Sequence, residues 1–137
     1  MKLTLFLVLL CFFSNLQAQT DAQLWSRVGK PTSSKIAQSI GKYTSGCVRG
    51  AATLPHNGQG YQVMRLSRKR YYGHPDLVRF IEKLGQTAQN QGLGTLLVGD
   101  MGMARGGPTL SGHRSHQTGL DVDIWYLLSK EAERREL

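Results

Sequence analysis

Ser111 to Trp125 reads SGHRSHQTGLDVDIW. Its second half alternates. Leu120, Val122 and Ile124 fall on one face of an extended segment, and Asp121, Asp123 and Trp125 fall on the other. The alternation predicts a strand over 120–128 (LDVDIWYLL), with its apolar side in a core and its acidic side toward a cavity or solvent. The first half is a loop that brings His113 and His116 up to that strand. The turn Gln117-Thr118-Gly119 is placed to fold His116 back beside the carboxylate of Asp123.

This grouping suits a metal ion. A histidine offers a neutral ring nitrogen to a borderline cation such as Zn²⁺, and an aspartate adds an anionic oxygen. The candidate ligands are His113, His116 and Asp123. Asp121 shares a strand face with Asp123, about 7 Å away at ordinary strand rise. It is the candidate for a supporting acceptor that orients a ligand histidine. Against this stand surface histidines with turn-capping aspartates, and a hydrolytic Cys47–His dyad. The dyad is disfavoured because Cys47 sits in a glycine-rich stretch with no helix start behind it.

Upstream of this stretch, one helix is clearly marked. His74-Pro75-Asp76 opens it, with proline suited to a first helical turn and Asp76 complementing the amino-end dipole. Leu77, Val78, Ile81, Leu84 and Ala88 form one apolar stripe, and Gly92 is a natural stop. Gly85 weakens the middle of the helix. YQVMRL (61–66) reads as a strand covered on both faces, and Thr95 to Val98 as a short buried strand between glycines. Residues 103–112 (MARGGPTLSG) read as a flexible loop, 45–60 as mostly turns, and 19 to about 45 as a loop-rich segment of little periodicity. SKEAERREL, at the far end, reads as a helix start or a tail. SRKRYYGHP (67–75) is a basic-aromatic run, either a solvated hairpin with anchoring tyrosines or, less simply, a nucleic-acid contact. An export signal argues against nucleic acid.

That signal is at the start. Met1-Lys2 is a short positive region, Leu3 to Phe13 is almost wholly apolar, and Ala18 is a small residue at a cleavage point. The apolar run is too short to span a membrane. Removing 18 of the 137 residues leaves 119, enough for one modest domain. The net charge of +8 falls by one with Lys2 and permits attraction to an anionic wall polymer. Cys11 leaves with the signal, so Cys47 stands alone, as half of an absent pair or as a small buried apolar side chain.

GHRSHQTGLDVDI (112–124) resembles the zinc motif of the penicillin-insensitive murein endopeptidases, a branch of the superfamily of lysostaphin-type and D-Ala-D-Ala metallopeptidases. YQVMR (61–65), RYYGHPDLVRFI (70–81), VGDMGM (98–103), the Gly46-Cys47 pair and TLP (53–55) resemble that family too, so the similarity runs from about Ala37 to Tyr126. It implies an α+β fold with a central antiparallel sheet and a flanking helix. It implies zinc as cofactor, a periplasmic location, and cleavage of peptide cross-links in peptidoglycan, such as the D-alanyl–diaminopimelyl bond. It assigns His116 and Asp123 to the family's zinc pair and His113 to the further histidine upstream. The superfamily completes its site with a downstream His-x-His motif, and no histidine follows His116 here. The family also pairs cysteines across the fold. On this reading 1–18 is a signal peptide, and 19–137 is the amino-terminal part of a larger catalytic domain that lacks the family's catalytic histidine. It binds zinc weakly and hydrolyses little by itself. A wall-binding module that kept the fold without the chemistry is the alternative.

Overall fold

The structure is a computed structural model and describes residues 18–111 and 114–125. The signal-like segment up to residue 17, His113 and everything from residue 126 onward lie outside the described residues, including the end of the strand expected over 120–128 and the charged tail. The elements in chain order are α1 (Asp21–Ser26), β1 (Gln38–Lys42), β2 (Ser45–Arg49), β3 (Ala52–Thr53), β4 (Asn57–Gly58), β5 (Tyr61–Val63), a 3₁₀ turn (Leu66–Arg68), β6 (Tyr72–Gly73), α2 (Pro75–Asn90) and β7 (Leu96–Val98). Helix and sheet are mixed, giving the α+β class.

Three of the four ladders are antiparallel: β1 with β2, β3 with β6, and β4 with β5. The fourth, β5 with β7, is parallel, with Val63 opposite Val98. The reason is the connection. α2 lies between these two strands in the chain, and a helical crossover returns the chain in the direction it left. Every residue of both strands is buried, as the continuous apolar run of β7 requires.

α2 keeps its expected limits. The ring Nδ1 of His74 accepts from the Asp76 N–H at the N-cap, and Pro75 starts the first turn. Val78, Ile81 and Ala88 are buried against Leu54, Tyr61, Val63, Leu96, Val98 and Met101 in one core. Gly85 is buried on the same face, and a Cβ there would come 2.8 Å from the Gln59 carbonyl oxygen. The glycine that weakens the helix by propensity is what lets it seat on the β4–β5 turn. Gly60, in that turn, has φ +73° and faces the Gly85 carbonyl oxygen so closely that no side chain fits.

Four regions depart from the sequence reading. The stretch 45–60, read as mostly turns, holds β2, β3 and β4, and the strand expected over 61–66 stops at Val63, with Leu66–Arg68 in the 3₁₀ turn. The segment 19–45 holds α1, closed by a reciprocal Thr20–Gln23 capping box, and β1, the first strand of a hairpin. T-x-x-Q was the available signal for α1. The hairpin lacks apolar alternation because β1 is largely exposed, so periodicity could not reveal it. The expected strand over 120–128 reduces, among the described residues, to a bridge between Ile124 and Val98. Val122 and Ile124 do pack against the core, but Leu120 is exposed, because the chain is still leaving the histidine loop at that point.

Candidate metal centre

Residues 116–119 form a buried loop, and long-range bonds hold it. The β1–β2 hairpin grips it: Gly46 N–H donates to the Gln117 Oε1 at 3.1 Å, the Gln117 Nε2 donates to the Thr44 carbonyl at 3.1 Å, and the Ser39 hydroxyl donates to the Thr118 carbonyl at 2.8 Å. Below it, Gly107 N–H donates to the Gln117 carbonyl and His74 N–H to the Gly119 carbonyl. This clamp holds His116 at φ +67°, a left-handed backbone that few non-glycine residues adopt, histidine more often than most. Such a conformation persists only where surrounding contacts over-determine it, and it concentrates at functional sites.

His116 is 2% exposed. Its ring Nδ1 faces Asp121 Oδ2 at 2.9 Å, and the same carboxylate accepts from the His116 backbone N–H at 3.0 and 3.1 Å. An anionic oxygen at this distance favours the tautomer with its proton on Nδ1. Nε2 faces Asp123 Oδ2 at 3.4 Å. The Asp123 side chain is half exposed, whereas the Nε2 it faces is buried. The backbone at Asp123 is fixed: its N–H donates to the Asp100 carbonyl at 2.9 Å and its carbonyl accepts from Gly99 N–H at 2.7 Å.

The donor set fits a small divalent ion. Two donors held about 2.0–2.2 Å from a tetrahedral ion stand about 3.4 Å apart. The fold thus brings His116, Asp121 and Asp123 together, with the two carboxylates on opposite ring nitrogens. His113 lies outside the described residues. Among the described residues no group of three or more His, Cys, Asp or Glu side chains is arranged to hold an ion. His74 serves as a helix cap and His56 packs edge-on against Tyr71, with ring centroids 4.6 Å apart. Cys47 is half-buried in β2, opposite Ile40.

Sequence reasoning gave Asp100 no role. It is 4% exposed and anchors both Arg70 and Arg68 at 2.8 Å. Arg70, itself 8% exposed, also donates to the Ser111 hydroxyl at 2.6 Å. Burial pulls the Arg70 guanidinium down from its ordinary value, and Asp100 pulls it back up. The ion pair therefore pins the start of the histidine loop at Ser111, two residues before His113. The only advance signal was an aspartate between two buried-strand ends.

Residues 39–137 match the family model described as penicillin-insensitive murein endopeptidase. Curated proteins of that name from Salmonella paratyphi B, Salmonella newport and Salmonella agona are each 51% identical to this chain over 130 residues. The alignment covers 95% of this chain and 46% of each relative, so the chain spans about half the length of the curated relatives it matches.

Proposed function

This chain belongs to the penicillin-insensitive murein endopeptidase family, a family of metallopeptidases, and we propose that it carries the zinc-binding part of an endopeptidase acting on peptide cross-links of peptidoglycan, such as D-alanyl–diaminopimelyl bonds. The observation that supports this best is the imidazole of His116, with Asp121 on Nδ1 and Asp123 on Nε2.

On this reading His116 and Asp123 hold the ion, with His113 as the third donor. Zinc, when bound, supplies Lewis acidity toward a scissile carbonyl and makes a water acidic enough to attack near neutral pH. The chain's own residues do the positioning. Asp121 stands beside the ring and favours the tautomer with its proton on Nδ1. The hairpin contacts at Gln117 and Thr118 fix the loop. The Asp100–Arg70–Ser111 chain fixes the approach to His113. No serine nucleophile is needed, which accounts for indifference to β-lactams. A secreted, periplasmic location fits the signal-like start and the wall substrate. Among the described residues no helix is long and apolar enough to cross a membrane.

The test incubates the purified chain with zinc and cross-linked muropeptide dimers. Turnover is expected to be slow, because the family's downstream His-x-His motif has no counterpart in this sequence. Zinc-dependent loss of dimer that a β-lactam leaves untouched and Asp123→Ala abolishes is the expected result. Retained dimers, with undiminished binding to whole wall, would favour a wall-binding module instead.

A further inference from the structure

Between the end of α1 and the 3₁₀ turn lies a cavity of about 330 Å³. Arg27, Ser67, Arg68, Lys69, Arg70 and Tyr72 contribute to its wall, and among the described residues no carboxylate does. Asp100 sits behind Arg68 and Arg70 and compensates one positive charge. Four cations against one buried carboxylate leave a net positive field in a concave space.

The backbone is arranged to present these cations. The 3₁₀ turn is flanked by Arg65 at φ +48° and Lys69 at φ +52°, two non-glycine residues in the left-handed region. Both hold a conformation that L side chains rarely adopt, which persists only where surrounding contacts over-determine it. The wall also adjoins the metal centre. Arg70 lines the cavity, bonds Ser111 at the base of the histidine loop, and acts electrostatically on Asp123. A space of this volume admits one residue-sized group.

We propose that this cavity is the subsite for a carboxylate-bearing residue of the peptide whose bond is cut. The inference rests on the peptidase reading above and names the chemistry its substrate must carry. Arg27 and Lys69, both exposed, engage the carboxylate. Arg68 and Arg70 are already oriented by Asp100 and supply the field. Guanidinium forks match a carboxylate in two-point geometry, and on Asp100 Arg68 and Arg70 each spend only one nitrogen, both on the same Oδ2 at 2.8 Å. Wall peptides carry carboxylates and no phosphate, which selects the anion.

The test is calorimetry on the full chain kept metal-free with chelator, so that binding is read without turnover. The probes are a murein stem peptide with free carboxylates and the same peptide with its carboxylates amidated. The free form is expected to bind about tenfold tighter. Lys69→Gln and Arg27→Gln are each expected to remove most of that preference while leaving the circular dichroism spectrum unchanged. Equal affinity for the two peptides, variants that bind like the parent, or inorganic phosphate displacing the free peptide at lower concentration would each overturn the proposal. Zinc-dependent cleavage is scored separately. Cleavage without a carboxylate preference sinks the subsite alone, and a carboxylate preference without cleavage sinks the peptidase reading and, with it, the cavity's role in cleavage, leaving a carboxylate-binding cavity.

Discussion

Asp121 holds His116 at two points, lying 2.9 Å from its ring Nδ1 and accepting from its backbone N–H at 3.0 and 3.1 Å. One carboxylate thus holds the backbone of His116 and stands beside its ring. Asp123 is left to meet the other nitrogen.

Replacing Asp121 should therefore weaken metal binding without touching a ligand. Asp121→Asn keeps an acceptor for the backbone but loses the charge beside Nδ1. Zinc affinity measured by competition with a chromogenic chelator should fall about 10- to 100-fold. Unchanged affinity would show that Asp121 does not orient the ring.

Asp123→Ala separates binding from stability. Its carboxylate is half exposed and its structural bonds come from the backbone. Denaturant midpoints should stay within about 0.5 kcal/mol of the parent, as for most surface substitutions. Zinc uptake in equilibrium dialysis should be lost. A large loss of stability would mean that the carboxylate serves the fold instead.

Asp100→Ala removes the partner of a buried guanidinium. Arg70 would be left uncompensated at 8% exposure, which costs about 3–5 kcal/mol when one member of a buried pair is deleted. Urea denaturation of the metal-free chain measures this. A cost below 1 kcal/mol would show that Arg70 finds water.

Gly85→Ala runs against helix propensity. By propensity alone the change gains about 1 kcal/mol. In the fold the new Cβ meets the Gln59 carbonyl oxygen at 2.8 Å, and overpacking of this kind costs about 1–3 kcal/mol. Net destabilisation is expected in denaturant titrations, and a rise in stability would show that α2 sits further from the β4–β5 turn.

High pH should unfold the protein through Tyr61. Burial pushes its phenol up, and Glu82 adds to the shift. A raised folded value means the native state holds its proton after the unfolded chain has released it near pH 10. Stability is therefore complete below about pH 10 and declines as pH climbs through the folded value. Tyr61→Phe should flatten that alkaline decline in melting temperature, whatever it does at neutral pH.

The readings that rest on local pattern needed nothing beyond the sequence. α2 was legible because proline, a cap and a 3.6-residue stripe all lie within one contiguous segment. β5 and β7 were legible as covered strands because they carry apolar residues on both faces. His116, Asp121 and Asp123 were legible as a group because they lie within eight positions.

What the tertiary structure decided depends on contacts between distant parts of the chain. The parallel pairing of β5 with β7 follows from where α2 packs. The cramped seat of Gly85 exists only against the β4–β5 turn. Asp100 became a buried anchor only when Arg68 and Arg70 reached it from 30 or so positions away. Which carboxylate faces which nitrogen of His116 is set by a loop clamped from residues 71 and 79 positions upstream. Periodicity records which side of an element is apolar, but the angle of one imidazole ring is set by the closure of the whole fold around it.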